Sequence, residues 1–129
     1  MARQLRLLNL YKAMERKTHT VNAQGRPLGR VAVETANLLR GKQKADFAPH
    51  KDVGDFVTVQ NFKRVRFTGQ KAQQKQYFRH SGYLGSLKAR PLGKAFEEQP
   101  AEVLRKAVWG MLPTNKLRAV QIKRLKIEL

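Results

Sequence analysis

A chain of 129 residues is long enough for one domain with a modest core, and it carries 27 Lys and Arg against 9 Asp and Glu, a formal net charge of +18. Self-repulsion opposes the compaction of such a chain, so the charge indicates a polyanionic partner, most commonly nucleic acid. The absence of cysteine excludes disulfides and thiolate zinc sites. The sequence has no apolar run long enough for a bilayer, and its basic residues are spread along the chain, so we expect no membrane partner.

The first 17 residues, MARQLRLLNLYKAMERK, form a basic segment with Leu5, Leu8 and Tyr11 at helical spacing. Such a segment is either an organellar transit peptide or a basic extension that packs on the domain or on its partner. Because the segment lacks serine and contains Glu15, we favour the extension. The sequence thus predicts a basic N-terminal extension over residues 1–17 and a single RNA-binding domain over residues 18–129.

The first half of the domain predicts a strand, a helix and a second strand. The β-rich segment THTVNA, residues 18–23, indicates the first strand. After a turn, Pro27 suits the first turn of a helix whose apolar residues recur every three or four positions up to Arg40. Gly41 is placed to end this helix. The β-branched and aromatic residues of DFVTVQN, residues 55–61, are typical of a buried central strand.

Shorter elements are predicted in the second half. Residues 64–69, RVRFTG, and residues 75–80, KQYFRH, indicate short strands. Residues 100–113 have one apolar face between two prolines and predict a second helix. TNKLRAVQ is a candidate third helix, and the alternating RLKIEL indicates a final strand. This order predicts an α/β fold, a three-layer α/β/α sandwich around a small, mainly parallel sheet with a right-handed crossover.

Catalytic sites are only weakly indicated. His80 and Ser81 are adjacent, so their side chains would point to opposite faces of a strand, and no nucleophile-elbow motif surrounds Ser81. Four residues close in sequence are candidate Mg²⁺ ligands of a small nuclease: Asp46, His50, Asp52 and Asp55. Such residues more often cap turns. We therefore expect no enzyme, no metal and no cofactor, and we keep the nuclease as an alternative.

The distribution of charge is more informative. Residues 56–96 include no acid at all. A surface that faces only water normally mixes both signs, whereas neutralising phosphates releases condensed counterions and favours one sign. Glycines here would let a sugar–phosphate backbone approach closely, and Tyr83 is the best candidate for stacking on an unpaired base. A second basic group lies near the C-terminus, where Arg124 and Lys126 are expected on the exposed face of the final strand.

Four segments occur in a familiar order: NAQGRPLGRVA, APHKDVGDFVTVQN, TGQKAQQKQYFRHSGYLGSLK and AEVLRKAVWGMLP. Through them, residues 15–129 resemble the large-subunit ribosomal protein family numbered thirteen, in its bacterial and organellar form. The resemblance implies an α/β/α fold, binding to large-subunit ribosomal RNA early in subunit assembly, and no catalysis. It implies that the HSGY loop and the GMLP turn face RNA, and that Pro49 and His50 match a Pro-His loop.

The resemblance also implies partners and a location. The partners are large-subunit ribosomal RNA and neighbouring large-subunit proteins, without a small-molecule substrate. The location is the cytoplasmic ribosome of a bacterium or the ribosome of an organelle. A free RNA-binding protein with no preference for one RNA remains a second alternative.

Charge pattern and resemblance together predict one set of residues in contact with ribosomal RNA. It combines basic residues around the first helix, the Pro-His loop, the acid-free stretch with its HSGY loop, and the C-terminal basic group. The set is Arg26, Arg30, Lys42, Lys44, His50, Lys51, Lys63, Arg64, Lys71, Lys75, Arg79, His80, Ser81, Gly82, Tyr83, Lys88, Arg90, Lys116, Arg118, Lys123 and Arg124.

Overall fold

The computed structural model describes residues 2–4 and 16–129, so most of the predicted N-terminal extension lies outside the described residues. From residue 16 onwards, strands and helices follow one another with short connections. Their order is β1 (Thr18–Asn22), α1 (Leu28–Arg40), β2 (Phe56–Gln60), a 3₁₀ helix (Phe62–Arg64), α2 (Lys71–Gln74), β3 (Gln76–Arg79), β4 (Lys88–Pro91), α3 (Leu92–Glu98), α4 (Pro100–Met111), α5 (Leu117–Ile122) and β5 (Leu125–Ile127).

A parallel sheet in the order β1–β2–β5 is the centre of the fold. Thr18 lies opposite Phe56 at the start of β1 and β2, and Val57 lies opposite Leu125 where β2 pairs with β5. The apolar segment predicted as a central strand is β2, and its Val57 and Val59 are fully buried. The α/β class with a parallel sheet is therefore confirmed.

Helix α1 ends at the residue that its sequence predicts and begins close to the predicted start. Pro27 precedes it in an extended conformation, so the helix begins at Leu28, one residue later than expected. Gly41 ends it in the left-handed conformation at φ 81°, where its N–H donates to the carbonyls of Asn37 and Leu38. A side chain at this φ would be strained, which explains the glycine.

The core lies on one face of the sheet. Val21 and Val59 from the strands pack there with Leu39 of α1 and with Leu104 and Val108 of α4. Helices α1 and α4 pack on each other and share this core with the strands.

The second half of the chain adds a separate antiparallel hairpin. Residues 75–80 form β3 as predicted, and β3 pairs with β4 from Gln76 opposite Pro91 to Arg79 opposite Lys88. At the base of the hairpin the Leu92 N–H donates to the Lys75 carbonyl over 2.8 Å. The sequence had not indicated β4, α2 or α3.

The strand predicted over residues 64–69 is wrong. Arg66 makes only an isolated bridge to Pro27. The Arg66 N–H donates to the Arg26 carbonyl, and the Arg66 carbonyl accepts from the Leu28 N–H. A longer ladder does not form because Pro27 has no N–H to donate and the chain turns into α1 directly after it. The helices predicted from Pro100 and around Arg118 are confirmed as α4 and α5.

Arg124, which precedes β5, connects the loop at Asp52 and the end of α1 from inside the fold. Its Nη1 and Nη2 donate to the two carboxylate oxygens of Asp52 over 2.8 and 2.6 Å, and Nη2 also donates to the Leu39 carbonyl at the end of α1 over 3.0 Å. Only 8% of Arg124 is exposed. The expectation that Arg124 shares an exposed face with Lys126 is therefore wrong, since the guanidinium folds back onto a loop instead of following the strand.

Gly54 lies against the same cluster and cannot carry a side chain. A Cβ on it would overlap the Leu39 carbonyl and lie 2.9 Å from the Arg124 Nη2. We expect Gly54→Ala to lower the free energy of unfolding by about 3 kcal/mol, the upper range for overpacking, in urea denaturation. Gly29→Ala is the control, because space is open around Gly29 and stability should stay equal or rise. Equal stability of Gly54→Ala would contradict the packing described.

In the described residues, no helix combines the length and apolar character needed to cross a membrane.

Candidate nucleic-acid interface

The open end of hairpin β3–β4 forms a concave basic surface. Arg79, His80, Ser81, Ser86 and Lys88 line an open cavity of about 370 Å³ there. Four of these five side chains belong to the predicted set, and Ser86 does not. The structure thus brings the HSGY loop and the first residue of β4 together, as local residues of one turn.

Hydrogen bonds within the turn fix its shape. The Ser86 hydroxyl donates to the Tyr83 carbonyl over 2.6 Å and accepts from the Ser81 N–H at 3.3 Å. Gly82 and Gly85 adopt φ values of 91° and 74°, which suit glycine alone. The turn therefore has a defined conformation even though its side chains project into solvent.

Arg79 and Lys88 lie directly opposite each other in the last pair of the hairpin. Like charges at opposed positions of an antiparallel pair are destabilising. Neither residue forms an ion pair with any acid in the described ranges. The described residues thus leave this repulsion uncompensated, and an anion bound between the two cations would compensate it.

Large apolar side chains are exposed beside these charges. Tyr83 is 83% exposed and Phe78 is 64% exposed, and Leu84 and Leu87 also lie in solvent. Exposed aromatic rings next to cations are typical of surfaces that stack on unpaired bases and neutralise phosphates. The predicted role of Tyr83 in base contact agrees with this exposure and stays a prediction.

A second basic surface lies at the C-terminal end of α4. The Arg118 guanidinium lies 4.1 Å from the centre of the Trp109 ring, and both residues are accessible to solvent. Lys116 is exposed beside them. Stacking on Trp109 holds the guanidinium in place while leaving its N–H groups free to donate, which suits phosphate binding.

The other predicted residues divide into two groups. Three form ion pairs within the protein: Arg26 with Glu34, Lys44 with Asp55, and Arg90 with Glu98. The pairs of Arg26 and Arg90 are exposed and contribute about 0–1 kcal/mol, so an RNA phosphate competes with them readily. The remaining residues are exposed, and they are Arg30, Lys42, His50, Lys51, Lys63, Arg64, Lys71, Lys75 and Lys123.

Two of the acidic residues considered for a nuclease, Asp52 and Asp55, bond to other residues of the fold. Asp55 is buried, and its oxygens contact Lys44 Nζ at 2.7 Å, His19 Nε2 at 2.7 Å and Gln43 Nε2 at 3.0 Å. Asp52 is occupied by Arg124. Across residues 2–4 and 16–129, no three metal-ligating side chains come together. The described residues therefore assemble no Mg²⁺ site at these positions.

The Asp55 contacts predict a loss of stability in acid. Burial raises the pKa of Asp55, but hydrogen bonds from Lys44, His19 and the Lys17 N–H outweigh it and lower the pKa from 3.8 to about 2. A carboxyl with a depressed pKa in the folded state stabilises the protein above its unfolded pKa, and this stabilisation is lost as pH falls from about 4 to about 2. We expect the free energy of unfolding to fall by about 2 kcal/mol across this window.

Urea denaturation at a series of pH values measures this loss. In Asp55→Asn the acid dependence should be weaker, because the variant has no carboxyl at this position to protonate. Acid dependence of the same size in both proteins would contradict the role given to Asp55.

Arg66, Lys106 and Ser86 lie on basic or concave surfaces and were absent from the predicted set. Arg66 was assigned to a predicted strand, and Lys106 falls in the basic group predicted near the C-terminus. The serine pair at either end of the turn was the available signal for Ser86, since serine hydroxyls commonly bond nearby backbone groups. The positions of Arg66 and Lys106 follow only from tertiary packing.

Together, the parallel sheet, the helices packed on it and the two cationic surfaces define a small basic α/β protein shaped to contact a polyanion. The family model described as Ribosomal protein L13 matches residues 16–127. The large ribosomal subunit protein uL13 of a Nocardioides species is 50% identical over 114 residues, which cover 88% of this chain and 78% of the relative. The chain belongs to the ribosomal protein L13 family, and the resemblance found in the sequence is confirmed.

Two further relatives carry the same name. The proteins named large ribosomal subunit protein uL13 in Rubrobacter xylanophilus and Carboxydothermus hydrogenoformans are 47% and 48% identical over 114 residues. In both cases the match covers 88% of this chain and 80% of the relative.

Proposed function

We propose that this chain is a structural constituent of the large ribosomal subunit that binds large-subunit ribosomal RNA through the hairpin β3–β4 and the C-terminal end of α4. Its membership of the L13 family and the names of its relatives support the place in the subunit. The relatives cited are bacterial, which supports a bacterial ribosome over an organellar one. Early action in subunit assembly and contact with neighbouring large-subunit proteins belong to the same proposal.

The observation that carries the RNA-binding role is the cross-strand pair of Arg79 and Lys88. Sequence and fold place two cations face to face at the end of a hairpin, beside exposed aromatic rings, where the protein gains nothing from them. A phosphate between them turns this repulsion into attraction and releases condensed counterions. The hairpin is thus better suited to the bound state than to the free protein.

The same geometry supports recognition of RNA shape more than sequence. The exposed cations belong to the hairpin, to the two ends of α1 and to the region around α5, so separate RNA segments can contact the domain at once, and phosphate contacts fix position without reading bases. His80 and Ser81 then serve as contact and turn residues, since Ser81 bonds Ser86 through its backbone. We propose no catalytic role for either, and none for the chain.

Filter binding with two RNAs tests this function. The purified chain is titrated against large-subunit ribosomal RNA and against an unrelated folded RNA of equal length, at a series of salt concentrations. We expect tighter binding to the ribosomal RNA, with affinity falling steeply as salt increases. Equal affinity for both RNAs would favour the free RNA-binding alternative, and RNA cleavage that depends on Mg²⁺ would favour the nuclease.

A further inference from the structure

A cavity of about 440 Å³ lies between the start of α1, residues 66–75 and the end of α4. Its size falls within the range of small-molecule sites, roughly 300–1,000 Å³. Leu28, Phe67, Leu92 and Met111 give it apolar walls. Phe67 is held by an edge-to-face contact with Phe96, with ring centres 5.0 Å apart, so one wall of the cavity is a fixed aromatic side chain.

Four cations also line this cavity: Arg66, Lys71, Lys75 and Lys106. No acid lines it, and none of the four forms an ion pair with another residue between 16 and 129. Lys75 and Lys106 converge on the Tyr77 ring, at 5.7 and 4.9 Å from its centre. Apolar walls with such a cationic rim suit a ligand that is flat and apolar at one end and anionic at the other.

Two glycines in the cavity lining have no role in the fold. Gly29 lies in α1 and Gly110 in α4, where glycine is less stable than alanine by about 0.5–1 kcal/mol. Neither has a positive φ, and a Cβ built on either would meet no atom within 4 Å. The backbone thus accepts other residues at both positions, but a side chain there would narrow the cavity. These two glycines therefore keep the cavity wide enough for a ligand.

We propose that this cavity receives one unstacked nucleotide of the bound RNA, with its base against the apolar walls and its phosphates on the lysines and Arg66. The proposal rests on the RNA-binding function proposed above and specifies one contact of it. A base that has left its stack is recognised by aromatic and apolar contact on its faces, while the adjacent phosphates supply the charge. The cavity lacks acids and is continuous with basic segments, so an RNA strand fits it better than a neutral or cationic ligand.

Filling the cavity from Gly110 tests the proposal. The full chain and its Gly110→Leu variant are bound to large-subunit ribosomal RNA, and the bases are probed with dimethyl sulfate and a carbodiimide at nucleotide resolution. We expect one unpaired base that the unmodified chain protects to become reactive with Gly110→Leu, while other protections remain. Affinity should fall roughly tenfold, the size of one base–aromatic stacking contact. An unchanged pattern of protection would overturn the proposal.

Asn37→Leu is the matched control, because it adds the same exposed leucine to a helix outside the cavity without changing charge. The bases that this control protects, and its RNA affinity, should match those of the unmodified chain. If the control also lost protection of the same base, the cavity would be overturned as the binding site. Thermal unfolding checks that Gly110→Leu folds, and its midpoint should be equal or higher.

Two further outcomes separate the possible failures. If the unmodified chain shows no preference for ribosomal RNA, the proposed function itself fails. If the chain prefers that RNA but Gly110→Leu leaves every base protected, only the cavity proposal fails. Titration with adenosine and uridine 5′-monophosphate distinguishes RNA from a free nucleotide, and tight binding of either would overturn RNA as the source.

Discussion

Arg124→Ala is expected to lower the free energy of unfolding by about 3–5 kcal/mol, as measured by urea denaturation. The variant removes both hydrogen bonds to Asp52 and the one to the Leu39 carbonyl. Asp52 then keeps a carboxylate that is mostly shielded from water, and among the described residues its remaining ion pair is the longer contact to Arg16, at 3.4 Å. An uncompensated charge of this kind is among the most destabilising results of a single substitution.

Lys126→Ala is the matched control, since Lys126 is exposed on β5 and pairs only with Glu128, so its change should stay within about 1 kcal/mol. Arg124→Lys should recover only part of the loss, because an ammonium cannot bond two carboxylate oxygens and a carbonyl in the same plane. If Arg124→Ala kept full stability and instead lost RNA affinity, the internal role would be contradicted and the role first predicted from the sequence would be restored.

The double variant Arg79→Gln/Lys88→Gln should weaken binding to large-subunit ribosomal RNA on the order of 100-fold, because it removes two charge-assisted phosphate contacts. The slope of log affinity against log salt should become shallower by about 1.4–1.8, the contribution of two phosphates. Stability should stay equal or rise by a few tenths of a kcal/mol, because the variant removes a like-charge pair. Filter binding and urea denaturation measure the two effects.

The matched control removes the same charge elsewhere. Lys94→Gln/Arg105→Gln changes two exposed cations outside the hairpin, and it should reduce RNA affinity far less. Equal losses of affinity in the two double variants would mean that net charge alone drives binding, and would contradict a specific role of the hairpin in RNA contact.

The parts of the fold predictable from sequence are those that local patterns specify. Helix α1 has its proline, its apolar repeat and its final glycine, and β2 is rich in β-branched and aromatic residues between polar loops. Strand β4, with the sequence KARP, has only four residues, contains proline and lacks any β-branched or aromatic residue, so nothing local indicates it. Residues 64–69 alternate like a strand, yet Pro27 gives them no ladder to join.

The candidate interface shows the same division. The hairpin end was predictable because its residues are close in sequence and free of acids. The role of Arg124 was not, because its partner Asp52 lies 72 residues away and no periodicity joins them. The cavity beside Gly29 and Gly110 joins three distant segments, and it appears only once α1 and α4 pack together.

The most direct test of the account is the sedimentation of this protein in a native lysate on sucrose gradients, at low and then at high salt. We predict that it co-sediments with the large ribosomal subunit and stays there through the high-salt wash, because an integrated constituent has many simultaneous contacts. Loosely held basic proteins lose affinity steeply with salt and would leave the subunit. Recovery at the top of both gradients would contradict the assignment to the large subunit.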